Sequence, residues 1–434
     1  MRRLALLLIL AAACSKQPAL STGPDSITTP EGRARMLALM TSGGGLPVDK
    51  EIDRLQSLVQ RQPEKLEAWI ELGHFWIRKA RDAQRPGLYA NAGACADLVL
   101  ARQPTNRPAL ELQGLVLMND HRFQEARSLM STVLARTPDD PVALGTLSDA
   151  DLELGRTQEA VEAAQRMMDL KPNLPSYSRA AHLQWLRGDL QDAKESLRLA
   201  IDAGNDGKDK EPKAWVMVQA AMLFWNEGDA DGAEAGFDQT LVWLPEFPPA
   251  LAGKARVLLG RGDGKAAAAL LGKAYQVNPL VETGWLLGDA LALAGDADGS
   301  QRAWAEIEKR GKLADPRTLA LFWATKDRQH EAALQLAEAE RKTRDDEYTE
   351  DVIAWALYRA GRLDEALAAS DKANALGTRD ARLWFHAGAI RLAKGETAKG
   401  QSLIRKALEL NPHFDLAGEA EARRLLDARM AKGK

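Results

Sequence analysis

From about residue 47 onward, apolar side chains recur along the chain in stripes of helical period, each flanked by charged and polar positions. Alanine and leucine dominate these stripes while Val and Ile are sparse, which favours helix over strand. The stripes are punctuated at fixed intervals. Pro104, Pro138 and Pro172 stand 34 residues apart, as do Pro245 and Pro279. A glycine followed five residues later by an alanine recurs as Gly155/Ala160, Gly188/Ala193, Gly228/Ala233, Gly262/Ala267 and Gly361/Ala366. Each mark has a mechanical meaning. The glycine ends one helix in a left-handed conformation, the small alanine lets the next helix pack closely against it, and the proline stops that second helix. The pattern predicts an all-α chain of helix–turn–helix units, none of which buries its own stripe without stacked neighbours.

These marks resemble the tetratricopeptide repeat, a helix–turn–helix unit of 34 residues. Trp69, Leu72, Gly73 and Trp76 in "AWIELGHFW" carry the resemblance most closely, followed by "LELGRTQEAVEAAQRMMDLKP" ending at Pro172. The last copy shows Trp384, Gly388, Ala407 and Pro412 in place, with Gly400 where alanine is usual. The resemblance implies a right-handed α-solenoid of about ten repeats whose first helices line a concave groove. The solenoid is expected over residues 47–432, with a capping helix at 47–63, repeats at about 64–414 and a closing helix with a polar outer face at 415–430. Copies near 281–313 and 314–346 are degenerate, and "NDGKDKEPK" at 205–213 adds residues that a loop can absorb.

The opening stretch obeys a different pattern. In MRRLALLLILAAAC, residues 1–14, two arginines precede the apolar run Leu4–Leu10, and Ala11–Ala13 supply the small residues of a cleavage site. The run is too short for a membrane span, which takes roughly 20 residues. It resembles a bacterial lipoprotein signal, which implies a mature N-terminus at Cys14 carrying acyl chains. The usual Leu three places before the cysteine is replaced by Ala11, and an ordinary cleaved secretion signal is the alternative. Ser15 after the cysteine implies sorting to the outer membrane in a Gram-negative host. Residues 15–46 are expected to form a flexible tether, with a short helix from Pro30 to Met40 within it. Cys95 is then an isolated thiol that an oxidising compartment tolerates only if buried.

A net charge of -3, with Lys and Arg scattered among Asp and Glu, gives no field for nucleic acid. Two cysteines exclude a disulfide framework and metal sites built on cysteine pairs. The six histidines make no metal-binding pair. "GRGDGKA" at 260–266 lacks the residues of a phosphate loop, because Leu259 and Ala266 stand where Gly and Ser or Thr are needed. "EGDADGAEAGFD" at 227–238 mimics a calcium loop but spans an inter-helix turn. No nucleophile–base motif appears, so no catalytic residue, metal or cofactor is assigned.

The concave face remains. Counting from the repeat marks, Trp215, Val218, Met222 and Trp225 fall on it, as do Trp285, Trp355, Tyr358, Arg359 and Phe385. Trp69, Trp76, Trp323 and Trp384 fall on core positions, and Trp185 is ambiguous in register. Aromatic residues with Arg are enriched at binding hot spots. The expectation is a non-catalytic adaptor of the cell envelope, lipid-anchored and facing the periplasm, holding a protein or peptide in an aromatic groove. A soluble periplasmic or secreted binder of a small ligand or glycan in the same groove is the alternative. Bacterial lipoproteins of this architecture imply a role in assembling an envelope complex.

Overall fold

The computed structural model describes residues 27–204 and 209–430. Among them are 23 α-helices and one short 3-10 turn, with no strand. Helices α1 (Pro30–Ala38) and α2 (Pro47–Arg61) lead into ten antiparallel pairs. The first five are α3 (Leu66–Asp82) with α4 (Tyr89–Leu100), α5 (Arg107–Asn119) with α6 (Phe123–Leu134), α7 (Pro141–Glu153) with α8 (Thr157–Leu170), α9 (Leu174–Leu186) with α10 (Leu190–Ala203), and α11 (Glu211–Asn226) with α12 (Ala230–Trp243). The second five are α13 (Pro248–Gly260) with α14 (Gly264–Val277), α15 (Val281–Leu293) with α16 (Ala297–Ala314), α17 (Pro316–Thr325) with α18 (His330–Glu340), α19 (Glu347–Arg359) with α20 (Leu363–Ala373), and α21 (Ala381–Ala393) with α22 (Thr397–Leu410). Helix α23 (Leu416–Met430) closes the series.

The sequence marks sit where their chemistry requires. Gly155, Gly188, Gly228, Gly262 and Gly361 end first helices with φ between +71° and +83°. Ala160, Ala193, Ala233, Ala267 and Ala366 are fully buried between the two helices of a pair. The prolines follow the ends of α4, α6, α8, α12 and α14. The calcium-like stretch is a turn: Asp229 caps α12 by accepting from the Gly232 N–H at 2.9 Å. The degenerate copies still form complete pairs, with Asp327 at φ +56° in the inter-helix turn, as Gln84 and His121 are in the first two pairs, where the remaining copies use glycine.

The expected tether is shorter than the pattern suggested. Its helix, α1, packs against α4 with Ala38 fully buried. The Ala38 carbonyl accepts from Trp76 Nε1 at 3.1 Å, and the Leu37 carbonyl accepts from Asn91 Nδ2 at 2.8 Å. The small residues Gly32, Ala34 and Ala38 make this close seat possible, so this part of the segment belongs to the folded body. The signal stretch with Cys14, and residues 15–26, lie outside the described residues.

The stack winds until it meets itself. The Asp345 N–H donates to the Glu153 carbonyl at 2.9 Å. Thr378 Oγ1 donates to the Leu186 carbonyl at 2.7 Å, 192 residues apart, and Asn411 Nδ2 to the Trp225 carbonyl at 2.7 Å, 186 apart. Asn278 Nδ2 donates to Gln84 Oε1 at 2.8 Å, 194 apart. Arg344 lies 5.0 Å over the Phe123 ring and pairs with Glu153 at 3.4 Å. Each contact joins the turn inside one pair, or the helix leading into it, to the loop following a pair about five further on. The acceptors Glu153, Leu186 and Trp225 lie in the last turns of α7, α9 and α11, whose carbonyls have no partner within the helix. One superhelical turn is thus about 190 residues, closed by a polar seam.

The seam makes two glycines that share a backbone conformation unequal. A Cβ on Gly228 (φ +83°) would clash with the Leu410 carbonyl, while one on Gly262 (φ +81°) would meet nothing within 4 Å. Asparagine tolerates the left-handed region. Gly262→Asn should therefore cost about 1 kcal/mol or less, set by the backbone alone. Gly228→Asn should cost clearly more and speed amide exchange at Leu410, Asn411 and His413. Chemical denaturation with hydrogen-exchange mass spectrometry reads both; equal behaviour would mean the turns are not in contact.

Candidate binding cavity

The first helices of the pairs line the superhelix axis, and the axis is not uniformly open. Around α7, α9, α11, α13 and α15 it widens into a cavity of about 670 Å³, with Tyr348 of α19 forming part of the wall. That volume is in the range of pockets that engulf a compact ligand. Its apolar lining includes Trp185, Trp215, Val218, Met222, Pro248 and Leu280, and its neutral polar lining includes Gln219, Asn226 and Asn278. Trp215 is 48% exposed, unusual for an indole in the middle of a helix, and Leu280 is half exposed nearby.

The charges of the wall come in pairs. Arg179 donates to both Asp149 oxygens, at 2.8 and 2.6 Å. Arg256 pairs with Glu282, and this holds the Glu282 carboxyl below its usual range despite the surrounding protein. His182 also lines the cavity, and desolvation lowers its pKa. Trp185 Nε1 donates to the Tyr348 hydroxyl at 3.2 Å, which donates to Asp380 at 3.4 Å. The wall is therefore balanced in charge and rich in aromatic and amide surface. No group of His, Cys, Asp and Glu among the described residues could hold a metal ion. Cys95 is completely buried, which pushes its thiol pKa well up and makes it inert.

Arg256 and Glu282 also line a second space, a crevice of about 40 Å³ further along the axis. There α13, α15, α17, α19, α21 and α23 close around Trp285, Trp355, Phe385 and His386. His386 Nδ1 is bonded to Asp351 at 2.8 Å, and its ring stacks on Trp355 at 4.0 Å.

The nine residues expected on one continuous groove thus divide. Trp215, Val218 and Met222 line the open cavity. Trp285, Trp355 and Phe385 face the axis but are 7%, 1% and 1% exposed, because the narrow winding closes the axis over them. Tyr358 stacks on Trp355 at 4.9 Å, and Arg359 lies 4.4 Å over the Trp355 ring, held by Glu421 of α23. Trp225 lines neither space. It is buried against Phe237 and Phe247, and its carbonyl belongs to the seam. Trp69, Trp76 and Trp323 are core residues as expected. The cavity residues missed include Tyr348, Leu280, the amides of Gln219, Asn226 and Asn278, and the cluster Asp149, Arg179 and His182. Trp185, whose register was ambiguous, lies in the wall with them. The Trp185–Tyr348 pairing spans 163 residues and leaves no mark in a 34-residue period.

Comparison with known proteins agrees with the repeat. Family models of the tetratricopeptide repeat match residues 117–184 and 381–414. Cellulose synthase operon protein C of Pseudomonas fluorescens (strain SBW25) is 30% identical over 263 residues, 57% of this chain and 19% of that protein. The chain therefore spans about a fifth of that relative's length. Among solved structures, the type IV pilus biogenesis factor PilW overlays with a TM-score of 0.41 at 14% identity, covering 48% of this chain and 95% of PilW. Human IFIT1, as a dimer with m7Gppp-AAAA, overlays with a TM-score of 0.47 at 13% identity, covering 90% of this chain and 96% of that one.

The wall and the seam beside it each make a prediction. Trp215→Ala should change unfolding free energy by less than about 1 kcal/mol, whereas Trp355→Ala should cost about 3–5 kcal/mol, both read by urea denaturation. Equal costs would mean that Trp215 is a packing residue too. The second concerns Glu347, buried at the seam end of α19, where burial, with Asp346 and Glu153 nearby, pushes its carboxyl up to about 7 from 4.5. Between those values the folded chain keeps a proton that the unfolded chain has lost, so stability falls as pH rises through the window. Glu347→Gln removes this. Relative to wild type, the variant should gain on the order of 3 kcal/mol between pH 4 and pH 8. A parallel pH dependence would contradict the assignment.

Proposed function

This chain is a tetratricopeptide-repeat protein, and on that premise we propose that it is a non-catalytic adaptor of the bacterial cell envelope whose axial cavity receives a short segment of a partner protein. The observation that carries the reading is Trp215. A half-exposed indole, beside half-exposed Leu280 and over Val218 and Met222, is kept in a walled cavity. Aromatic anchors in a concave site are where binding energy concentrates. The charge-balanced wall favours a neutral or apolar segment over an acidic or basic one, and no catalytic constellation competes for the space. The pattern of residues 1–14 supports cleavage and acylation at Cys14, which would tether the solenoid at an outer membrane with the cavity in the periplasm. No helix among the described residues is long and apolar enough to cross a membrane. The similarity to a cellulose synthase operon protein supports a role alongside other proteins rather than alone.

A second reading is favoured by the amides of Gln219 and Asn226 beside Trp215, a combination that suits a neutral glycan. The two readings separate in one experiment. A photo-crosslinking residue at Met222, in cells expressing the full chain, should give a discrete protein adduct that Trp215→Ala abolishes. The same residue at Val242, 84% exposed on the second helix of its pair, should give none. Absence of a protein adduct, with a non-protein mass retained in native mass spectrometry and lost in Trp215→Ala, would replace the partner segment by the glycan. The anchor has its own test: the intact mass of the mature chain should show acyl groups that Cys14→Ser lacks.

A further inference from the structure

Helix α11 presents one chemically ordered stripe to the axial cavity. Trp215, Gln219, Met222 and Asn226 all line it, and steps of four, three and four residues keep them on one face of the helix. The stripe reads indole, amide, thioether, amide. Both amides are partly buried, and neither has a hydrogen-bond partner among the described residues. That sets them apart from the other polar groups of the wall. Arg179 is bound to Asp149 and Arg256 to Glu282, while Asn278 Nδ2 is taken by Gln84. Beside the stripe, α13 contributes Ala252 and Gly253 to the same cavity, so that side of the space stays shallow.

What the two amides can hold follows from their chemistry. A side-chain amide carries a donor and an acceptor together, the complement of the N–H and C=O that each residue of a main chain presents. A partner α-helix has those groups paired within itself and gives the amides nothing to bind except side chains. An extended chain has all of them to offer. The spacing agrees. Gln219 and Asn226 are seven residues apart in sequence, which is about 10 Å along a helix. Three residues of polyproline-type or strand-like chain advance about 9–10 Å. From Trp215 to Asn226 the stripe runs about 16 Å, the length of about five extended residues.

We propose that α11 holds an extended, uncharged segment of a partner protein by its main chain: Gln219 and Asn226 pair with two residues three apart, and an apolar side chain of the segment lies on the Trp215 indole. This rests on the reading that the cavity receives a partner segment, and it fixes the conformation of that segment and the groups that bind it. Recognition is then tolerant of sequence between the two amide contacts, where Met222 offers a pliable apolar surface. It is strict about charge, because the Asp149–Arg179 and Arg256–Glu282 pairs of the wall already have their counter-ions.

The test uses the full chain in cells with the photo-crosslinking residue at Met222, and the variants Gln219→Leu and Asn226→Leu, which keep the bulk of the side chain and remove its donor and acceptor. Each should lower the yield of the protein adduct about tenfold, for the loss of a donor and an acceptor contact, with no loss of stability in urea. The crosslinked stretch is then synthesised as a capped, fluorescent peptide and bound to the purified chain. An N-methyl scan of its backbone, read by anisotropy, should weaken binding tenfold or more at two positions three residues apart. Adduct yield unchanged in both amide variants, or a scan with no such pair, would overturn main-chain recognition while leaving a partner in the cavity. Tighter binding of the same peptide when stapled as a helix would overturn it as well. If Trp215→Ala leaves the adduct intact, or if no protein adduct forms and a glycan mass is retained, the cavity reading itself fails and this inference falls with it.

Discussion

The structure depends on a few hydrogen bonds that reach across a full superhelical turn. The last carbonyls of an α-helix have no partner within it, and in an open solenoid water supplies one. Here Asp345 and Thr378 supply it instead, from loops about five pairs further along, and Asn411 adds a second donor to the Trp225 carbonyl, which already accepts from the Gly228 N–H. Each bond adds only about 0.5–1.5 kcal/mol net. Their effect is geometric: they hold the pitch at contact, so that the concave face becomes the wall of an enclosed axis. A solenoid with the same pairs and a looser pitch would present a groove. This one presents a cavity and a crevice.

That closure explains how the aromatic residues divide. Trp215 and Trp355 occupy equivalent sides of their helices, and both face the axis. Around Trp215 the ring is wide and the indole stays half exposed. Around Trp355 the ring narrows, α23 completes it, and the indole packs against Tyr358, His386 and Phe385. The Arg256–Glu282 pair stands between the two regions and belongs to both. The first space is open in the structure; the second is closed over by α23.

The fold was legible because its rules are local. A left-handed glycine, an alanine five residues on and a proline beyond each act within one pair, so Gly228, Ala233 and Pro245 announce their pair without knowledge of the rest. The winding is not local. It accumulates from small rotations at every stacking step, and the seam residues Asn278, Thr378 and Asn411 look like ordinary loop residues in sequence. For the same reason the repeat marks place Trp355 and Phe385 on the inner face but cannot show that the narrow axis buries them. The helix within the expected tether was found, but not its docking, because Ala38 meets Trp76 only in three dimensions.

The claim on which the rest stands is that one turn of the superhelix touches the next. Arg187 and Arg379 are both exposed and flank the seam, where a Cβ on Gly188 would lie 3.6 Å from Arg379 Cγ. The direct measurement is crosslinking of an Arg187→Cys, Arg379→Cys double variant with a short bismaleimide, in a Cys14→Ser background that leaves only the buried Cys95. The closed superhelix predicts near-complete intramolecular crosslinking between those two positions, lost in urea. A crosslinked fraction no higher than that of a pair placed on opposite ends of the stack would mean the turns stand apart, and the axial cavity would be an open groove.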